Sequence, residues 1–104
     1  MKRVYICSPY RGNVKQNIHL AMVACAYALK EGYAPIAPHL LYPHILDDAT
    51  PEEREIGINA GLAWIEVCDE FWICGEKITE GMAREIKRVE ELGIPARRVR
   101  RYDA

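Results

Sequence analysis

Short apolar runs alternate along this chain with longer stretches in which apolar residues return every three or four positions. Arg3-Val4-Tyr5-Ile6-Cys7 is β-branched and aromatic and stops at Ser8-Pro9, which predicts a first strand. From Val14 the apolar positions fall at Val14, Ile18, Ala21, Met22, Cys25 and Leu29, one helical face that Glu31-Gly32 closes. Ala34-Pro35-Ile36-Ala37 predicts a short strand whose proline restricts it to an edge or to a strand start. Pro38 to Thr50 is irregular. Thr50-Pro51-Glu52-Glu53 then supplies an N-cap, a proline at the first helical position and acidic residues in the first turn. The helix it starts carries Ile56, Ala60, Ala63, Trp64 and Val67 to about Cys68. Phe71-Trp72-Ile73-Cys74 predicts a strand ending at Gly75. Thr79 caps a last helix with the face Met82, Ile86, Val89 and Leu92, closed by Gly93, and Val99 marks a final strand after Ile94-Pro95.

Strand and helix alternate throughout, the signature of a parallel sheet with helices on both faces. The expectation is one α/β domain over residues 1–104, a three-layer sandwich with a sheet of four or five strands. In such sheets ligands sit outside the carboxyl ends of the strands, where the strand order switches. Three loops therefore hold the candidate chemistry: Ser8 to Asn13, Pro38 to Asp48, and Gly75 to Glu85.

Composition narrows the classes. The sequence is 50% hydrophobic and 28% charged, which excludes intrinsic disorder. Fourteen Lys and Arg face 15 Asp and Glu, so a basic nucleic-acid clamp is excluded as a whole-chain reading, and no stable nucleic-acid complex is expected. No apolar run is long enough to span a membrane, and the apolar stretch after Lys2-Arg3 is too short for a signal peptide. The expected compartment is the cytoplasm. Cys7, Cys25, Cys68 and Cys74 lie in strand-like and helical apolar patterns with no C-x-x-C pair, and are expected to be small buried hydrophobes.

Ser8-Pro9-Tyr10-Arg11-Gly12-Asn13 offers free backbone amides, the positive end of a helix and the planar fork of Arg11, which together suit an anion. Gly12 permits close backbone approach. The loop is neither a Walker loop nor a Gly-x-Gly-x-x-Gly turn, so ATP hydrolysis and dinucleotide binding lose their support. A plain turn with a solvated arginine, and Asn13 as helix cap, fits the same residues.

Tyr5 to Gly12, Ala37-Pro38-His39, Cys68-Asp69-Glu70-Phe71-Trp72, Glu80-Gly81-Met82 and Glu85-Ile86 together resemble the short bacterial and phage branch of the nucleoside 2-deoxyribosyltransferase-like superfamily. The resemblance runs from Tyr5 to about Pro95. It implies a flavodoxin-like or Rossmann-like sheet, a pocket for a nucleoside or deoxynucleoside 5′-monophosphate, no cofactor, and hydrolysis or exchange of the bond between base and deoxyribose. It places the carboxylate nucleophile at Glu85 and the 5′ group against Ser8 and Arg11, with Tyr5 or Tyr10 near the sugar. Gly12, Gly81 and Met82 fall in the matched motifs beside them. It further implies a homo-oligomer, a dimer or tetramer. A glutamate attacking the anomeric carbon splits one hard displacement into two easier ones, as in retaining glycosidases. The chain departs from the pattern at Gly61, where the enzymes carry an aspartate, and in a longer gap between Gly81 and Glu85. Non-catalytic binding of a nucleotide is the competing expectation.

The middle loop holds His39, His44 and Asp47. Imidazole and carboxylate can ligate zinc or iron, but their spacing fits no zinc motif, and no metal is expected. His39 and Asp47 are instead expected to wall the pocket and bond sugar or base. Asp69 reads as a turn residue. Arg97-Arg98-Val99-Arg100-Arg101 reads as a charged edge strand, with phosphate contact as the alternative.

Overall fold

The computed structural model describes residues 1–102; the last two residues of the 1–104 domain expectation lie outside them. In chain order the elements are β1 (Arg3–Cys7), α1 (Val14–Lys30), β2 (Ala34–Ile36), two 3₁₀ turns (Pro38–Leu40 and Tyr42–His44), α2 (Pro51–Ile65), β3 (Glu70–Cys74), α3 (Glu80–Leu92) and β4 (Ala96–Val99). The four strands are parallel in the order β2-β1-β3-β4. This is the expected three-layer α/β sandwich, with the lower of the two strand numbers. Pro35 sits in the edge strand β2, as its missing N–H requires.

Strand alternation divides the core between the two faces of the sheet. Val4, Ile6, Trp72, Cys74 and Val99 meet Ala24 and Ala28 of α1 on one face. Tyr5, Cys7 and Phe71 meet Ile65 of α2 and Met82 and Val89 of α3 on the other. Cys7, Cys68 and Cys74 are buried, Cys25 is half-buried, and all four thiols are free.

Two helical faces differ from the sequence expectation. In α1 the buried residues are Ala21, Ala24 and Ala28, while Met22 and Leu29 are exposed. Small side chains let the helix lie close to a sheet whose Trp72 is flanked by Tyr27 and Tyr33, with ring centroids 5.7 and 5.0 Å away. In α2, which ends at Ile65 rather than near Cys68, the buried residues are Gly61 and Ile65; Ile56 and Trp64 face outward, as does Val67 just beyond the helix. Trp64 donates its indole N–H to the Tyr42 hydroxyl at 2.8 Å, which satisfies its polar edge at the surface. Thr50 starts α2 without a side-chain cap, and its hydroxyl donates to Asp47 Oδ2 at 3.1 Å.

The loops are tied from several sides. Asp69, expected as a turn residue, instead ties the start of β3 to β1: its Oδ2 accepts the Arg3 backbone N–H at 2.7 Å. The charged last strand also packs inward: the Arg97 guanidinium lies 4.6 Å from the centre of the Trp72 ring. Arg98 Nη2 donates to the carbonyls of Gly75 and Glu76 at 2.6 and 3.0 Å, clasping the turn after β3. Gly75 has φ +98°, and a Cβ there would lie 3.0 Å from Leu20 and 3.2 Å from Pro9, so this turn presses directly on the loop after β1.

Thr79 Oγ1 accepts the Met82 N–H at 3.2 Å and fixes the start of α3. Thr79→Ala should lower unfolding stability by about 1 kcal/mol in chemical denaturation, whereas Thr79→Ser should lose far less.

Candidate functional site

The carboxyl ends of β1 and β3 lie side by side where the strand order reverses, leaving a crevice beyond the strand ends. Tyr5 and Cys7 alternate with Ile6 and point together toward α2 and α3. Glu85 lies in the second turn of α3 and meets both of them. The Tyr5 hydroxyl donates to Glu85 Oε2, and the Cys7 thiol donates to Oε1 at 3.5 Å. At 8% exposure, Glu85 is the one charged side chain classed as buried among the described residues.

Burial pushes the Glu85 carboxyl up to about 7, while the hydrogen bonds from Tyr5 and Cys7 favour the charged form and limit the rise. Burial and the neighbouring Glu85 raise the Tyr5 phenol and the Cys7 thiol well above their ordinary values, so both stay protonated donors.

Above this group the crevice opens as two communicating hollows. The inner one encloses about 570 Å³ and is lined by Tyr5, Glu85, Gly61, His39, Leu46 and Arg54 among others. The outer one, about 650 Å³, is lined by Tyr10, Arg11, Thr79 and Glu80. His39, Pro43, Asp48, Arg54, Ile58 and Gly81 border both. Both volumes include space open to solvent. Arg11 and Glu85 therefore stand at the two ends of one cleft.

Tyr10 and His39 face each other across the outer part with ring centroids 5.8 Å apart. Burial lowers the His39 pKa, opposed by a hydrogen bond to the Ser8 backbone and by the charge of Asp48. Arg11 donates from Nε to Asp48 Oδ2 at 2.6 Å and from Nη2 to the Asp48 carbonyl at 2.8 Å. Asn17 Nδ2 holds the carbonyls of Tyr10 and Arg11 at 2.9 and 3.1 Å, and Asn13 caps α1 through Gln16 N–H.

Several residues singled out in the sequence stand elsewhere. Ser8 is fully buried, and its Oγ has no hydrogen-bond partner among the described residues. Met82 is fully buried in the core beside Val89 and lines neither hollow. Gly12, with φ +101°, is exposed in the Arg11 loop. Asp47 is spent on a turn, accepting from Ala49 N–H and the Thr50 hydroxyl at 3.0 and 3.1 Å. Its neighbour Asp48 takes the place at the cleft. Among the described residues no three His, Cys, Asp or Glu side chains converge as a metal site, and no helix is long and apolar enough to cross a membrane.

Sequence reasoning missed Arg54, Asp48 and the thiol of Cys7, and read Gly61 only as a missing carboxylate rather than as room for the Tyr5 hydroxyl. A signal existed for the α3 side of the group: Glu85 falls three residues after Met82 and four before Val89, a charge set into a buried stripe. Arg54 borders both hollows, and no described residue lies within ion-pair distance of its guanidinium. Arg11, by contrast, is neutralised by Asp48.

The α/β sandwich is similar in fold to solved 2-deoxyribosyltransferases. The 2-deoxyribosyltransferase of the psychrotolerant bacterium Bacillus psychrosaccharolyticus superposes with a TM-score of 0.73 at 20% identity, over 94% of this chain and 72% of that one. The Leishmania mexicana 2-deoxyribosyltransferase gives 0.65 at 17% identity, over 96% of this chain and 65% of that one, just under two thirds of its length. No curated protein matches in sequence. The chain belongs to the family described as a domain of unknown function (DUF7768), whose model matches residues 2–99.

The raised pKa makes stability pH-dependent with a defined sign. The folded protein holds the Glu85 proton up to about 7, whereas a free glutamate releases it near 4.5. Between these values the folded state binds more protons, so this group's contribution to stability falls as pH rises through the window. The full difference is on the order of 3 kcal/mol. Thermal unfolding of Glu85→Gln against the parent protein should therefore favour the variant more at pH 8 than at pH 5; a gap independent of pH would refute the shift.

Proposed function

We propose that the protein cleaves or exchanges the N-glycosidic bond of a nucleoside or deoxynucleoside 5′-monophosphate, with Glu85 as the nucleophile. The observation that carries this reading is a buried carboxyl, hydrogen-bonded to a tyrosine, at the floor of a cleft that Arg11 and Arg54 also border. The fold relatives are 2-deoxyribosyltransferases, one of them described as a biocatalyst for nucleoside synthesis.

In this reading the ionised Glu85 attacks the anomeric carbon, the carbon–nitrogen bond breaks, and the base leaves with the bonding pair and takes up a proton. Water attacking the resulting glycosyl ester completes a hydrolase; a second base completes a transferase. Tyr5 stays neutral and holds Oε2, so that Oε1, held only by the weaker thiol donor of Cys7, is the oxygen that attacks. The Pro43 and Ile58 walls take the base or sugar faces, and His39 and Tyr10 border the outer end, where Arg11 and Arg54 receive a 5′ phosphate. Exposed Leu41, Ile45, Ile56 and Trp64 supply apolar surface for a homo-oligomer.

A second reading has its own observation. Gly61 leaves the α2 wall beside Glu85 without a carboxylate, and a nucleotide-binding module that has lost turnover would look the same at this point.

A thermal-shift screen with nucleosides and their 5′-monophosphates, followed by assay of released base, separates the two. Stabilisation with release supports the enzyme, stabilisation without release selects the binder, and no stabilisation by either ligand class removes both. For the enzyme, base release should rise with pH through about 7 as Glu85 ionises. Glu85→Gln should abolish release while ligand affinity stays within about a few-fold.

The two cations should carry phosphate recognition unequally. Arg54→Ala should weaken a monophosphate about ten-fold and leave the matching nucleoside unchanged. Asp48→Asn should strengthen monophosphate binding by freeing Arg11, and calorimetric titration of both ligands reads all of these affinities.

A further inference from the structure

Gly61 lies in the interior of α2, buried, against the Tyr5 and Glu85 side chains. A glycine there is costly for the helix, since alanine in the same place would restrict the unfolded chain and favour the helical backbone. No turn demands it, for φ at Gly61 is not positive. The requirement is spatial. A Cβ on Gly61 would stand 2.9 Å from the Tyr5 hydroxyl oxygen and 3.6 Å from Glu85 Oε2.

The first of these distances is too short for carbon and oxygen that are not bonded, and Tyr5 cannot easily give way. Its ring is 2% exposed and stacks on Phe71 with centroids 5.4 Å apart and planes 6° from parallel. Its strand is hydrogen-bonded on both sides, to β2 and to β3. The hydroxyl therefore occupies the volume that a side chain at position 61 would fill. We infer that Gly61 is a positioning residue for Glu85: its missing side chain lets the Tyr5 hydroxyl reach the Glu85 carboxyl, and the inner hollow tolerates no larger residue there, acidic ones included. The catalytic meaning of this placement rests on the proposed role of Glu85; the steric claim does not.

The inference makes an unusual demand on mutational signs. Gly61→Ala should lower the melting temperature, although Gly→Ala inside a helix ordinarily raises it. In the Tyr5→Phe background the clashing oxygen is gone, and the same Gly61→Ala change should raise the melting temperature by about 4 °C. A rise of equal size in both backgrounds would overturn the inference.

A second measurement does not depend on the Tyr5→Phe protein folding. The Glu85 carboxyl stretch, identified by its loss in Glu85→Gln, can be followed by infrared titration in the parent and in Gly61→Ala. With the Tyr5 hydrogen bond disturbed, the ionised carboxylate loses a donor and the titration midpoint should move up in Gly61→Ala. An unmoved midpoint would also overturn the inference. Gly61→Asp tests the last clause: it should disturb the pair more than Gly61→Ala, with a larger fall in melting temperature and no gain in base release. A gain in base release would refute it. None of the melting or infrared measurements needs turnover. A protein that releases no base yet shows the sign reversal leaves the steric role intact and removes only the nucleophile reading. A protein that releases base but shows additive melting shifts does the converse.

Discussion

A carboxyl group taken out of water is the constraint around which one half of this molecule is arranged. An isolated buried carboxylate is expensive, so the group must hold its proton more tightly, find donors, or both. Glu85 does both: burial raises its pKa, and Tyr5 and Cys7 each aim a donor at one of its oxygens. Those donors exist because β1 alternates, sending residues 5 and 7 to the same face. Met82 and Val89 seat the helix that delivers the acid, Phe71 backs the tyrosine, and Gly61 opens the room for its hydroxyl. The hydrophobic core and the candidate site are thus built from the same side chains.

The other face of the sheet does purely architectural work. Alanines of α1 approach closely, and Trp72 fills the remaining space among Tyr27, Tyr33 and the Arg97 guanidinium. Trp72 is further tethered through its indole N–H to Glu70 at 3.1 Å, which also accepts from the Tyr33 hydroxyl at 2.8 Å. Arg98 carries this order round to the functional end by clasping the turn that leads into α3. The two faces share the strands but divide their tasks.

The element order was readable in the sequence because proline, glycine and N-cap residues punctuate it: Ser8-Pro9, Gly32, Thr50-Pro51, Thr79 and Gly93 all fall at or next to element ends. Helical faces were less legible. Met22, Leu29, Ile56, Trp64 and Val67 are apolar yet exposed, while Ala24, Ala28 and Gly61 are inside. Hydropathy rewards large side chains, whereas close contact with a sheet that already carries Trp72 and Tyr5 favours small ones. At the site, Glu85, Tyr5, His39, Tyr10, Arg11 and Gly81 border the cleft. Asp48 escaped notice because nothing local distinguishes it from its neighbour Asp47, and Arg54 because it sits in the charged run that opens α2. Which of two adjacent acids faces inward is settled by the 3₁₀ turns and the Asp47 turn that precede α2. The Gly61 side of the group is a volume effect, invisible until Tyr5 is placed beside it.

If the cleft takes a phosphate as proposed, the bond between Arg11 and Asp48 has a consequence for which anions it would hold. Asp48 is an internal rival, tethered beside the guanidinium and carrying a single charge. An incoming group with one negative charge merely trades places with it. A terminal phosphate, doubly ionised above a pH of about 6, brings surplus charge to the exchange and can also engage Arg54. The internal phosphodiesters of a nucleic-acid strand carry one charge each and gain nothing by the swap. Under the proposed function, such a latch would sort ligands by valence, favouring free monoester ends over polymer backbone.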